Sequence, residues 1–407
     1  MKRDSFWAAA GKVVAVVTAT LIFLLVLVSA AGASQFKVLH AFTGSDGQEP
    51  RAALLLDSAG NLYGTTAWGG AYGLGTVFTV TPNSDGSWTE TVLYSFTGGD
   101  GYEPWSTPVF DAAGSLYGTT MYGGAYGYGT VYKLAHNPDD TWTHSVVYSF
   151  TGGADGNQPY TLAFDAAGIL YGTTWYGGAY GYGTIYTLMP KPDGSWTQSV
   201  IHSFTGGSGG GYLLRDCGLT FDAAGNLYSA AMNGGAYGYG VTFELTPKSA
   251  GGWKERVLHA FKGLPGKVPQ FAPIFDAAGS LYGTTSGGGP QDAGTIYELT
   301  PTSDGKWIYK VIRVFNGRNG HDPLWIKFDK AGNLYGTTYW DDADGYGVVF
   351  KLTPNPDGSW KETILHRFEG SDGGQTEGLV LDAAGNIYGL TAYYGAYGAG
   401  VIFEITP

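Results

Sequence analysis

Short apolar runs rich in β-branched and aromatic residues recur along residues 36–407, separated by clusters of Gly, Asn, Asp and Pro. One stretch shows the pattern. Residues 107–111 (TPVFD) turn through Ala112, Ala113 and Gly114 into residues 115–121 (SLYGTTM). A Gly/Tyr-rich loop then leads to residues 129–134 (GTVYKL), and an Asn/Pro/Asp turn leads to residues 141–150 (TWTHSVVYSF). Runs of this length and composition, bounded by turn formers, predict four β-strands, here called A to D. They are apolar on both faces, as strands sandwiched between two neighbouring sheets must be.

The four-strand unit repeats. One landmark is an aromatic that opens each copy: Phe42, Phe96, Phe150, Phe204, Phe261, Phe315 and Phe368, at spacings of 54, 54, 54, 57, 54 and 53 residues. A second is a turn aspartate at Asp57, Asp111, Asp165, Asp222, Asp276, Asp329 and Asp382, followed six residues later by Tyr63, Tyr117, Tyr171, Tyr228, Tyr282, Tyr335 and Tyr388. A fixed period of this size means a solenoid or a propeller. The ends choose between them. Residues 36–42 (FKVLHAF) match strand D, whereas residues 400–407 (GVIFEITP) match strand C, so the last copy lacks the strand that the first residues have to spare. A ring closed by that pairing leaves no free sheet edge. The expected fold is all-β, a seven-bladed β-propeller of four-stranded blades in which an N-terminal strand completes the last blade.

Composition agrees with this. Aromatics at 15% and 68 glycines against only 14% charged residues describe a packed β core rather than a solvated or disordered chain. Upstream, Lys2, Arg3 and Lys12 precede an apolar run over residues 13–28 and the small residues Ala31, Gly32 and Ala33. This is the layout of a secretory signal, so residues 1–33 are expected to be a signal peptide cleaved after Ala33, or else an uncleaved signal anchor, and residues 34–407 one propeller domain. The full chain carries a net charge of −12; removing residues 1–33 takes away three basic residues and one acidic one and leaves −14. That balance disfavours nucleic acid and anionic membranes as partners, with any membrane contact confined to residues 1–33.

The phrases LYGTTMYGGAYGYGTVYKL and LYGTTWYGGAYGYGTIYTL resemble the GloVer tandem repeat of bacterial surface proteins, and the likeness runs over residues 36–407. The resemblance implies an exported protein. It brings no established activity and no catalytic residues. Members of that family carry varied sorting signals; this chain ends on strand C, so the expected point of attachment is its N-terminal segment. A looser likeness to kelch repeats, through Gly123-Gly124, Tyr132 and Trp142, also implies a propeller.

A residue type present in every copy reads as scaffold, and one found in a single copy as a functional candidate. The seven aspartates are then expected to cap their own turns, with the glycine three residues on in a left-handed conformation. His40, His202, His259 and His366 share one strand D position with Tyr94, Tyr148 and Arg313, and read as blade-edge residues rather than a converging ligand set. His136 and His144 read as solvent-facing. Trp88, Trp142, Trp196, Trp253, Trp307 and Trp360 open strand D and read as packing anchors. Cys217, the single cysteine, has no partner for an intramolecular disulfide and no activating neighbour in sequence.

Length variation falls only between the Phe and the Asp, in the D-to-A connection, which shares a face with the B-to-C loops. Variable loops on a rigid scaffold are where binding concentrates. The expected ligand-binding residues on that face are Trp68, Tyr72, Glu103, Trp105, Tyr122 and Tyr126, together with Tyr160, Tyr176, Tyr180, His321, Trp325 and Trp340. Aromatic faces edged by carboxylates and amides suit sugar rings. Asp341, Asp342 and Asp344 replace one Gly/Ala/Tyr loop; they are too few for a helix-loop calcium motif and read as a solvated turn. The irregular loop holding Arg215, Asp216 and Cys217 reads as a lid or a plain connection.

The expectation is a secreted or surface-exposed monomeric binding module for polysaccharide or another surface component, without catalytic residues, metal or cofactor. The alternatives are a lyase or glycosidase with its site at the central channel, for which no paired carboxylate signature is visible, and a purely structural envelope scaffold.

Overall fold

In the computed structural model, which describes residues 34–213 and 218–407, the chain forms seven four-stranded antiparallel sheets arranged as the blades of a β-propeller. Blade 1 is Leu55–Leu56, Leu62–Thr66, Thr76–Pro82 and Trp88–Ser95. Blade 7 takes strands A to C from Gly374–Leu381, Ile387–Tyr393 and Val401–Thr406, and strand D from Gln35–Ala41. The register of that last pair runs from Gln35 opposite Thr406 to Ala41 opposite Val401, which closes the ring as the offset ends require. The expected signal segment, residues 1–33, and Arg215, Asp216 and Cys217 lie outside the described residues.

The core lies between blades. The aromatic that opens each copy is buried at every junction, and the strand D tryptophan of one blade meets the landmark tyrosine of the blade before it: Trp142 on Tyr63, Trp196 on Tyr117, Trp253 on Tyr171 and, across the closure, Trp88 on Tyr388. The turn aspartates behave as expected. Asp57 Oδ1 accepts the backbone N–H groups of Ala59 and Asn61, and Gly60 has φ +89°. Only a residue without a Cβ takes that conformation freely.

The glycine of LYGTT has a different reason. A Cβ at Gly118 would lie 2.2 Å from Oη of Tyr132, the buried strand C ring that covers it. The strand B backbone and the strand C ring are thus in direct contact. Blade 4 carries Ser229 at this place, opposite Phe243. Gly118→Ala is expected to lose about 1–3 kcal/mol, the cost of overpacking a filled core, measured by denaturant unfolding. A variant as stable as the parent would show that the ring swings aside.

Strand A, which lines the central channel, has two lengths. It is two residues long in blades 1, 2, 4 and 5, and eight in blade 3 (Asn157–Phe164), blade 6 (His321–Phe328) and blade 7. In blades 2 and 5, Pro108 and Pro273 stand immediately before the short strand and remove a ladder donor. Tyr160, His321 and Trp325, expected in loops, are therefore strand residues. Two other expectations change. His144 is not solvent-facing: its ring stacks on Tyr94 of the preceding blade at 4.1 Å. Asp341 is not solvated: it is buried, accepts the N–H groups of Gly345, Tyr346 and Gly347 through Oδ1 and pairs with Arg367, while Asp342 and Asp344 are exposed.

Candidate functional site

At the head of each strand A one residue has a positive φ that is not glycine's: Glu49, Glu103, Gln158, Tyr212, Val268, Asp322 and Gln375, all between 54° and 58°. Five of the seven precede a proline. Each donates its N–H to a carbonyl of the preceding blade, as Glu103 does to Leu74 and Gln375 to Tyr346. The following proline presses on a glycine of that blade: a Cβ at Gly75 (φ +100°) would sit 2.5 Å from Cδ of Pro104. The backbone is thereby pinned between two blades in a conformation that costs a non-glycine residue of order 1–3 kcal/mol.

The resulting ring of seven is not uniform. Asp322, Gln375, Glu49, Glu103 and Gln158, on the consecutive blades 6, 7, 1, 2 and 3, make a polar arc; Tyr212 and Val268 on blades 4 and 5 do not. Arg51, two residues after Glu49, lies at the centre of the arc. Its Nη2 donates to Glu49 Oε2 at 2.9 Å and to the Tyr393 hydroxyl, its Nη1 donates to the Tyr339 hydroxyl at 3.4 Å, and Glu377 Oε1 is 3.9 Å away. The guanidinium also sits over the rings of Tyr393 (4.6 Å) and Trp105 (5.3 Å). Burial works against this charge, but Glu377, the two tyrosines and Glu49 outweigh it and hold the group protonated. The Glu103 carboxyl is pushed up, first by burial and then by Glu49, with Arg51 opposing.

Beside this cluster an open cleft of ≈ 380 Å³ is lined by Tyr339, Gln375, Tyr393, Tyr394 and Gly398. Gln375 is only 6% exposed, and its Oε1 has no hydrogen-bond partner among the described residues. The same is true of Arg51 Nε, Trp105 Nε1 and Gln158 Oε1. Buried polar atoms are ordinarily paired, and these four unpartnered ones stand on one arc. Deeper in the ring, a second cavity of ≈ 240 Å³ has apolar walls that include Val109, Leu162, Phe271, Ile274 and Trp325.

The residues expected from sequence separate into three zones. Glu103 and Trp105 stand on the arc, and Trp325 lines the deeper cavity, packed on Phe271 at 5.5 Å. Tyr160 is buried, its hydroxyl donating to Met121 Sδ. Trp68 and Tyr122 bridge to Gln48 and Tyr102, Tyr176 stacks on Trp175, and His321 pairs with Trp340 at the start of the blade 6 hairpin. Tyr72, Tyr126 and Tyr180 are 61–63% exposed at the tips of B-to-C loops. Those tips lie over the outer strand, where Ala71 N donates to Ser95 Oγ. Arg51, Gln375, Glu377 and Tyr393 escaped the sequence reading. Aligning the copies on the residue after the proline would have exposed Arg51 and Glu377, since that column reads Arg51, Trp105, Tyr160, Gln270, Leu324 and Glu377 where it is described.

Residues 21–216 and 215–407 each match the model of the Gloeobacter/Verrucomicrobia repeat. Among solved structures, the extracellular domain of a putative hybrid two-component system from B. thetaiotaomicron superposes with a TM-score of 0.59 at 14% identity, over 92% of this chain and 42% of that one. A second such domain from B. thetaiotaomicron gives 0.52 at 12% identity, over 91% and 41%. PorZ, a bacterial surface component of the type-IX secretion system of Porphyromonas gingivalis, gives 0.52 at 15%, over 90% and 47%. The chain thus spans less than half the length of these neighbours, and the likeness is one of fold. No curated protein matches the sequence.

Proposed function

The chain belongs to the Gloeobacter/Verrucomicrobia repeat family, and from that premise we propose that it is an exported, non-catalytic binding module whose polar arc and adjoining cleft take a neutral, hydroxyl-rich ligand, a glycan. The observation that carries this reading is the buried Gln375, whose Oε1 lacks a partner while it lines a cleft walled by three tyrosines. Aromatic faces receive the C–H side of a sugar ring, and orphaned amide, indole and guanidinium atoms receive its hydroxyls. Glu49, Glu103 and Glu377 around Arg51 disfavour a polyanion. Export is supported by the signal-like residues 1–33 and by the extracellular origin of two of the fold neighbours.

Glu103 and Trp105 keep their place as ligand contacts in this reading, joined by Gln375 and Tyr393. The rim tyrosines Tyr72, Tyr126 and Tyr180 contribute little. The purified protein is expected to retain a neutral oligosaccharide on a glycan array. Trp105→Ala and Gln375→Ala are expected to weaken that binding about tenfold or more in calorimetry, the scale of a lost contact residue, and Tyr72→Ala to leave it unchanged. Retention of no glycan at millimolar concentration, or a larger loss from Tyr72→Ala than from the two central variants, would sink the reading.

A further inference from the structure

The seven blade junctions carry a second repeated constellation, on the outer side of the ring. The strand D residue two after the tryptophan faces the strand D residue two before the landmark Phe of the preceding blade, and a loop residue joins them. At the junction of blades 5 and 6 the three are Glu362, Arg313 and Asn319. The guanidinium of Arg313 donates to Glu362, and Asn319 Nδ2 donates to both its oxygens at 3.2 and 3.0 Å, so the carboxylate is neutralised and bonded. Between blades 1 and 2 the set is His144 stacked on Tyr94, whose hydroxyl donates to Asp100. Between blades 6 and 7 it is Phe36 stacked on His366 at 3.7 Å, with His366 bonded to Asp372. Each of these sets holds at most one carboxylate, and that carboxylate is bonded.

The closing junction of blades 7 and 1 breaks the pattern. Here Glu90 faces His40 on the N-terminal strand and Asp46 on the loop that follows it, with one ligand atom from each lying within 4.8 Å of the others. The Asp46 carboxylate is held in place, because Oδ1 accepts the N–H of Thr43 at 2.8 Å and its hydroxyl at 2.9 Å, while Oδ2 meets His40 Nε2 at 3.1 Å. Glu90 Oε1 is buried and has no partner among the described residues. Two carboxylates therefore converge where the Arg313 junction supplies a cation and this one supplies none.

We propose that His40, Asp46 and Glu90 bind a divalent transition-metal ion, of the Zn²⁺ or Mn²⁺ class, that clasps the N-terminal strand to strand D of blade 1. One imidazole with two carboxylates is a donor set for such ions rather than for Ca²⁺, which prefers oxygen alone. The second oxygen of Asp46, tied to Thr43, orients the first in the manner of an outer-shell hydrogen bond. Burial and the Asp46 charge push the Glu90 carboxyl up to about 7. Burial, against Asp46, lowers the His40 imidazole.

The test titrates Zn²⁺ and Mn²⁺ into chelator-treated full-length protein by calorimetry and follows thermal unfolding in parallel. One equivalent of metal is expected to bind and to raise the melting temperature. Glu90→Gln and His40→Tyr place in this junction the residues that Gln198 and Tyr94 already provide in others, so both variants retain the blade contacts. Each is expected to weaken binding about tenfold or more and to abolish the metal-dependent rise. His136→Ala, at an exposed histidine, is expected to change neither. No stoichiometric binding at millimolar metal overturns the proposal. So does parental affinity in both Glu90→Gln and His40→Tyr, or loss of binding in His136→Ala alone.

Discussion

Replacing Phe42 by alanine is expected to cost about 3–5 kcal/mol of stability, the range for emptying a fully buried phenylalanine site, and to loosen the ring at its seam. Phe42 is 0% exposed, packs edge-on against Phe78 at 5.1 Å, and shares its cluster with Leu54, Leu62, Tyr388 and Ile402 of blades 1 and 7. Its N–H also donates to Gly400 O at 3.0 Å. Phe204 occupies the equivalent place between blades 3 and 4, where strand D follows strand C in one hairpin. Phe204→Ala should therefore lose similar free energy without the same local opening. Hydrogen exchange distinguishes the two: amides of Val401–Thr406, paired with the N-terminal strand, are expected to exchange faster in Phe42→Ala than in Phe204→Ala. A loss under about 1 kcal/mol, or equal exchange at that strand in both variants, would show that closure does not rest on this contact.

Arg51→Ala is expected to be as costly, about 3–5 kcal/mol, because it strips the cation from two carboxylates and leaves them buried without compensation. The side chains of Arg51, Glu49 and Glu377 are 11%, 18% and 3% exposed. The pH dependence has a definite sign. Arg51 opposes the upward push that burial and Glu49 exert on the Glu103 carboxyl, so without the guanidinium that carboxyl rises further in the folded state. The variant is therefore penalised most where Glu103 must ionise, near neutrality, and the difference from the parent shrinks as the pH falls and it is protonated. Denaturant unfolding at neutral and mildly acidic pH measures this, and Arg51→Ala combined with Glu377→Gln should recover part of the loss at neutral pH. An equal deficit at both pH values would mean that Arg51 acts through packing alone.

The same cluster bears on the choice between binding and catalysis. Hydrolysis of a glycosidic bond uses two carboxyl groups, one as acid and one as base or nucleophile. Around Arg51, Glu49 and Glu377 are engaged by the guanidinium, and the Glu103 carboxyl is pushed upward. In the proposed reading the arrangement holds a ligand. At Glu49, Glu103, Gln158 and Gln375 glycine would relieve the backbone strain of positive φ but remove the carboxylates and amides that form the arc.

The architecture was legible because its determinants are local and repeated. The seven phenylalanines, the aspartate turns with their left-handed glycines and the strand-D-like residues 36–42 each follow from spacing and turn chemistry, and together they specify blade number, strand order and the closing strand. The inference that repeated residues are scaffold also held for the tryptophans, which pack on the tyrosines of neighbouring blades. Repetition misled where a repeated column changes chemistry from blade to blade. His144 reads as polar and exposed in sequence yet stacks on Tyr94, because its partner comes from another blade.

The candidate site depended on something the pattern does not carry. Arg51 meets Tyr339 across 288 residues and Tyr393 across 342, so their contact exists only once the ring is closed. Which of the many aromatic and acidic residues on that face point inward is set by the backbone at the head of strand A, where a positive φ and a blade-to-blade hydrogen bond turn the side chain, and hydrophobic periodicity is blind to both. Sequence alone thus determined a seven-bladed ring and the strand that closes it. The tertiary structure alone decided that Gln375, Arg51, Glu103 and Trp105 form one polar arc while Tyr72, Tyr126 and Tyr180 stand apart on the rim. Period and turn chemistry are properties of neighbouring residues, whereas convergence at an axis is a property of the closed ring.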